Sequence, residues 1–307
     1  MLVLVAGATG NMGKSLIDRL LAQGHRVRAL SRNPSKLDAP RREKLEDFIQ
    51  MTSYYDIPAL DRACRGVDAV ICAYAAVLEL QLEGQLLLLR AAERSSTVTK
   101  FVAASWNFDW TRMNLGEHEI YDPYISFKRQ AELSSSLNVS YIFTGIFAEV
   151  LFCVPGHADF RPRYNGVWCP ESKRIEIWGT GDEIWHWTTV GDAAAFTVAV
   201  LEHDRAVEGG CWSVCSGANS LRELASMYSN VRGSEVDVVQ IGSEEALRRK
   251  VESAKHELGV KHWPCYIGYL VQLHTIEGKW ALKGLDNDEL GVTPTRFEDF
   301  LGLYPDT

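Results

Sequence analysis

A doubly wound parallel α/β sheet with a smaller C-terminal α/β subdomain is the fold class this sequence predicts, on three observations. First, an apolar run, Leu2-Val3-Leu4-Val5-Ala6, leads into Gly7-Ala8-Thr9-Gly10-Asn11-Met12-Gly13, and a helical pattern of Met12, Leu16, Ile17, Leu20 and Leu21 follows until Gly24. Second, short β-type runs alternate with helical patterns as far as Ser105, which implies parallel strands joined by right-handed crossovers. Third, the alternation fades after Gly145 into a stretch rich in Pro, Gly and Trp. The expected units are residues 1–150 and 151–307, with residues 188–203 packing back on the first.

Strand, glycine turn and helix, in that order, are the context of a Rossmann dinucleotide-binding turn. Gly7 permits the tight turn, Gly10 admits a pyrophosphate close to the backbone, and Gly13 lets the helix approach the strand. Thr9, Asn11 and Met12 complete the cradle, where N–H groups at the helix start face the phosphates. The second strand, 26–30, runs into Ser31-Arg32-Asn33-Pro34-Ser35-Lys36. An acid at that strand end would accept from an adenine ribose hydroxyl, as in NAD sites. Here Arg32 stands instead, with Lys36 beyond it, and a guanidinium grips a 2′-phosphate that a carboxylate would repel. The expected cofactor is therefore NADP(H).

The remaining elements follow in order. Residues 41–50 read as a charged helix running into a short strand at 48–51, and Ile57-Pro58 opens another helix. Residues 67–73 form a strand whose end, Ala73-Tyr74, should pass beneath the cofactor, and a helix covers 79–94. Residues 101–105 form the fifth strand, and 106–121 an aromatic loop. Asp122 and Pro123 start a helix as N-cap and first residue. Residues 138–143 form the sixth strand, with Phe147 just beyond it as a further cofactor contact. Residues 154–188 and 257–285 read as irregular. Between and after them come helices at 190, 220–228, 243–254 and 295–301 and strands at 210–214 and 236–241.

Tyr124 and Lys128 stand four residues apart, on one helix face. A lysine beside a tyrosine lowers the phenol's pKa, and the pair suits proton delivery during hydride transfer. Ser105, at a strand end where ligands collect, is the candidate for holding the electrophile. Each also has a plain structural reading: a packing tyrosine, a surface lysine, a hydroxyl satisfied by backbone. Trp106, Asn107, Phe108, Trp185, His186 and Trp263 are the candidate substrate wall, since aromatic surfaces suit flat apolar ligands. Trp110, Trp168, Trp178, Trp187 and Trp280 extend the aromatic set, with an ordinary core role open to each. In Trp185-His186-Trp187 a strand would turn both indoles to one side and the imidazole to the other, leaving structural and acid–base roles open to His186.

A net charge of −8 without a basic block argues against nucleic acid or an anionic membrane as partner. The most apolar stretch, around Leu86 to Leu89, is interrupted by Glu83, Gln85 and Arg90, and the N-terminal run has no basic flank, so neither a span nor a signal segment is expected. Seven scattered cysteines fit a reducing cytoplasm, and no clustered ligand set predicts a metal. The expected partner is a small aromatic molecule, for a monomer or homodimer.

Residues 7–13, 31–34, 100–107, 124–143 and 187–194 together resemble the NmrA-like, isoflavone-reductase-like branch of the atypical short-chain dehydrogenases. The resemblance covers nearly the whole chain and loosens after residue 200. It implies a Rossmann domain with a smaller substrate domain, NADPH in the cleft, and a lysine on the 123–137 helix as main catalytic group, matched by Lys128. Isoflavone-reductase relatives rely on that lysine without the full tyrosine motif, and relatives lacking it act as regulators. The expected activity is NADPH-dependent reduction of a small aromatic or polycyclic carbonyl, enone, imine or benzylic substrate. The alternatives are a non-catalytic NADP(H)-sensing regulator and an enzyme of non-redox cyclisation or isomerisation.

Overall fold

In the computed structural model, which describes residues 1–279, 281–305 and 307, β1 (Leu2–Ala6) is buried along its whole length. Its side chains divide by parity: Leu2, Leu4 and Ala6 join the apolar cluster on one face of the sheet, Val3 and Val5 that on the other. α1 (Asn11–Ala22) turns Leu16, Ile17 and Leu20 inward. The alternation continues through β2 (Arg26–Ser31), α2 (Ala39–Arg42), β3 (Asp47–Gln50), α3 (Ile57–Cys64) and β4 (Ala69–Cys72). A π-helical turn over Leu80–Gly84 leads into α4 (Gln85–Arg94), followed by β5 (Lys100–Val102), α5 (Asp122–Ser134) and β6 (Val139–Phe143).

Beyond β6 the chain forms β7 (Ile146–Phe147), α6 (Ala148–Leu151), β8 (Trp168–Cys169), β9 (Arg174–Trp178) and β10 (Ile184–Thr188). Then come α7 (Val190–Glu202), β11 (Gly210–Ser213), β12 (Gly217–Ser220), α8 (Leu221–Arg232), β13 (Asp237–Gly242) and α9 (Glu244–Leu258). The last helices are α10 (Ile267–Ile276), α11 (Asn287–Leu290) and α12 (Phe297–Leu303).

The main sheet has the order β11-β6-β5-β4-β1-β2-β3 and is parallel throughout. The order reverses between β1 and β4, and the crevice beyond their C-terminal ends is where such sheets bind ligands. Two three-stranded sheets, β12-β10-β7 and β13-β9-β8, build the second lobe. α7 lies with α1 on one face of the main sheet, where Phe196, Val198 and Leu201 share a cluster with Leu16, Ile17 and Leu20.

Several expectations change. Residues 154–188 are not irregular: they hold β8, β9 and β10, and β9 buries Ile175 and Ile177 while Arg174 and Glu176 face outward, a period too short to stand out among prolines and glycines. Residues 257–285 contain α10, whose Leu270, Gln272, Leu273 and His274 are all buried, so it has no apolar stripe to read. The charged helix at 41–50 shrinks to one turn. Tyr121, not Asp122, occupies the N-cap position of α5, while Asp122 accepts the Gly116 N–H at 2.8 Å.

Candidate active site

The glycine turn is shaped by close approach. At Gly7, with φ +82°, a Cβ would lie 2.2 Å from the Ala73 carbonyl oxygen, and at Gly13 one would lie 2.3 Å from that of Gly7. At Gly10 the nearest atom to a Cβ would be 3.5 Å away, so the front of the turn is open. α1 starts just behind it with no side-chain cap on its first turn, which leaves those N–H groups directed at the opening. Thr9 and Ser31 share a hydroxyl hydrogen bond of 2.9 Å across the base. At the end of β2 the exposed Arg32 guanidinium lies 4.6 Å from the centre of the Tyr54 ring, which itself meets Tyr74 edge-on. Lys36 is exposed on the turn after it. These residues fit a phosphorylated dinucleotide. The Asn11 amide donates to Gly156 O at 2.9 Å and contacts His157 Nδ1 at 3.2 Å, so residues 156–157 strap across the first turn of α1. Met12 turns back onto the core and Phe147 is half-buried on β7.

The residues beyond β5 correct several expectations. Ser105 is 1% exposed; its hydroxyl accepts the Ile142 N–H at 2.7 Å and lies 3.3 Å from the carbonyls of Ala103 and Ile142. It is a strand tie sealed under the sheet end, with no capacity left for an electrophile. Trp106 is half-buried between the two main apolar clusters, its indole N–H donating to Thr197 of α7 at 2.8 Å. Asn107 is half-buried: its Oδ1 accepts from the Tyr121 hydroxyl at 2.6 Å, and its carbonyl accepts the N–H groups of Thr144 and Gly145.

Tyr124 and Lys128 do not act on one point. Tyr124 is 4% exposed, beside Trp110 and Tyr121, and burial raises its phenol above the ordinary range, against a smaller lowering by the Asn107 side chain. The expected lowering by a neighbouring lysine is absent from that balance. Lys128 pairs instead with Glu132, one turn further along α5, and lies 5.8 Å from the centre of the Tyr141 ring. It lines a cavity of about 260 Å³ with Asn138, Tyr141 and Cys211, near the starts of β6 and β11 and so away from the strand ends that form the cleft.

In the second lobe β10 behaves as its alternation requires. Trp185 and Trp187 are 1% and 2% exposed, while His186 faces the other way and is half-buried. Trp185 is therefore core, not substrate wall. His186 lines a cavity of about 200 Å³ with Phe108, Ile184, Thr275 and Ile276, and burial lowers its imidazole. A Cβ at Gly145 would lie 2.0 Å from the His186 carbonyl, so glycine alone lets β10 pass so close to the exit of β6. Trp263 packs on the separate cluster of Tyr266 and Leu270 and does not line that cavity. Trp110, Trp168 and Trp212 are core residues, and Trp280 lies outside the described residues.

Two features had no signal in the sequence. The Tyr54 shelf under Arg32 comes from β3's return loop. Glu149, 2% exposed, directs both carboxylate oxygens to the Val190 N–H at 3.0 Å, and burial pushes it up to about 7. Among the described residues no group of three or more His, Cys, Asp or Glu could hold a metal, and no helix is long and apolar enough to cross a membrane.

Comparison with known proteins gives a consistent pattern. The model of a family described as NmrA-like matches residues 1–301. A bifunctional pinoresinol-lariciresinol reductase of Linum perenne is 25% identical over 98% of each chain. Among solved structures, an isoflavone reductase superposes with a TM-score of 0.75 at 18% identity, over 99% of both chains. The leucoanthocyanidin reductase–NADPH complex of Vitis vinifera does so with a TM-score of 0.76 at 19% identity, also over 99% of both. These two structural likenesses establish the common fold.

Proposed function

The chain belongs to the NmrA-like family, and on that premise we propose that it is an NADPH-dependent reductase of a small aromatic substrate. The observation that carries the reading is the open front of Gly10 combined with Arg32, rather than an acid, at the end of β2. The names of its relatives, reductases of pinoresinol, isoflavone and leucoanthocyanidin, support the substrate class.

Reduced nicotinamide, when bound, supplies a hydride. The chain's own groups do the rest. The N–H groups at the start of α1 bind the pyrophosphate, and Arg32 with Lys36 binds the 2′-phosphate. Phe108, Ile184 and Ile276 exclude water from the face of an aromatic ring. His186, neutral at physiological pH because burial disfavours its cation, hydrogen-bonds a phenol or carbonyl. Tyr124, kept protonated by burial, holds a proton beside Asn107.

A second reading, a non-catalytic NADP(H) sensor, is favoured by one observation: Lys128 is paired with Glu132 outside the cleft. The test is a fluorescence titration with NADPH and with NADH, on wild type and Arg32→Ala. Preferential NADPH binding, weakened about tenfold or more in the variant, supports the cofactor assignment, since charge-assisted bonds contribute about 1.5–3 kcal/mol. Failure of both nucleotides to bind would overturn it. Oxidation of NADPH by pinoresinol-like ethers, aromatic carbonyls or enones then supports the reductase, and binding without oxidation by any of them supports the sensor.

A further inference from the structure

Two buried glutamines stand behind the cleft, in a place where an apolar helix face would ordinarily put leucine. Gln81 and Gln85 are each 1% exposed. Gln81, in the π-helical turn, donates from Nε2 to the carbonyls of Tyr74 at 3.3 Å and Ala75 at 2.8 Å. Gln85, the first residue of α4, donates to Gln81 O at 3.0 Å and Gln81 Oε1 at 3.3 Å. Its own Oε1 accepts the Ala104 N–H at 2.8 Å. One chain of side-chain amides therefore runs from the exit of β4 to the exit of β5.

The chemistry explains the residue type. Tyr74, Ala75 and Ala104 lie beyond the last paired residues of their strands, so the ladder no longer supplies their partners. A buried peptide group needs one. An uncharged amide side chain donates at one atom and accepts at another, which lets the two glutamines bond to each other and to backbone groups of both polarities. With the carbonyls of Tyr74 and Ala75 held inward, Ala75, Ala76 and Val77 form an exposed rim of small side chains. On the other side Ala104 leads directly into the stretch that carries Asn107 and Phe108. The π-helical turn itself is a local irregularity of the kind that recurs at functional sites.

We propose that Gln81 and Gln85 are positioning residues that fix the spacing of the β4 and β5 exits and so hold the rim that receives the nicotinamide half of the dinucleotide. The glycine turn and Arg32 hold the other half; the Tyr54 ring under Arg32 meets the rim edge-on at Tyr74, while Gln85 bonds to neither Arg32 nor the glycine turn. This inference rests on the NADPH reading above.

The test compares NADPH with adenosine 2′,5′-bisphosphate, which has the 2′-phosphate and no nicotinamide. Both are titrated on wild type, Gln85→Leu and Gln85→Glu, and amide exchange is followed at Ala104. In Gln85→Leu, NADPH affinity should fall about tenfold, bisphosphate affinity should stay within about twofold, and Ala104 should exchange faster. Gln85→Glu retains the acceptor for Ala104 and loses the donor to Gln81, so it should keep Ala104 protected and weaken NADPH selectively; it decides the matter if the leucine variant does not fold. Unchanged NADPH affinity, equal weakening of both ligands, or unaltered Ala104 exchange in a folded Gln85→Leu overturns the proposal. If wild type binds neither ligand, the NADPH reading fails, and this inference falls with it.

Discussion

Replacing Glu149 with glutamine should make the protein more stable than wild type at pH 8 and remove much of its pH dependence between 4.5 and 7. The carboxyl is 2% exposed, bonded to the Val190 N–H, with the Tyr304 hydroxyl 3.5 Å away. Burial is the main cause that lifts it from 4.5 to about 7, and the nearby Asp192 charge adds to it. An acid raised in the fold is protonated there at pH values where the unfolded chain has already released the proton. Its contribution is complete below pH 4.5 and is lost as pH rises through about 7. The interval corresponds to a stability difference on the order of 3 kcal/mol by pH 8. Glutamine keeps an oxygen for Val190 and carries no charge at any pH. Urea unfolding of both chains at pH 5 and pH 8, extrapolated linearly, measures the difference. Other titrating groups, such as His157, which lines one surface pocket together with Glu149, cancel between the two chains. If wild type and Glu149→Gln change in parallel from pH 5 to pH 8, the carboxylate is not held out of water and the reasoning is wrong.

Three further outcomes follow from the site. Ser105→Ala should cost about 1–3 kcal/mol by stranding the buried Ile142 N–H, with stability rather than substrate affinity as the property that moves; a folded variant of undiminished stability would refute the strand-tie assignment. Lys128→Ala should cost under about 1 kcal/mol in a thermal melt and leave the NADPH Kd unchanged, because its ion pair is partly exposed and away from the cleft; lost NADPH binding would mean that the lysine reaches the cofactor. Gly13→Ala gains about 1 kcal/mol of helix propensity but forces a Cβ to within 2.3 Å of the Gly7 oxygen, and overpacking of about 1–3 kcal/mol should dominate, with weaker NADPH binding in the same titration.

The first half of the molecule could be read from the chain because its signals are local. Leu2 to Ala6 is a strand buried on both faces, and Gly7, Gly10 and Gly13 each answer a steric demand that a glycine announces by its identity. The position of Arg32 at the end of β2 was equally legible, since it follows directly on the strand's apolar run. The site beyond β5 was not, because spacing along a helix does not say where a long side chain ends. Tyr124 and Lys128 share a face of α5, yet one leans to Asn107 and the other to Glu132. Ser105 lies at a strand end as expected, and the β6 backbone takes up its hydroxyl. The tryptophans illustrate the same limit: Trp185 and Trp187 fill a core, while the histidine between them reaches the cavity. α10 was hidden by being apolar nearly all round, which removes the periodicity that marks a helix.

The edge strand β11 has a bearing on how the chain comes to be folded. It pairs with β6 in register from Gly210 to Ser213, some seventy residues after β6 ends. Until that segment has been synthesised, β6 is itself the edge of the sheet, a row of unpaired amides and carbonyls flanked by apolar side chains. The sheet face that α7 covers waits for residues 190–202, which precede β11. A nascent chain that has emerged only as far as residue 200 thus carries a strand ready to pair with a neighbour on the same messenger, and closure of the edge sets a late, long-range step in assembly. Fragments cut after β6 inherit that hazard permanently.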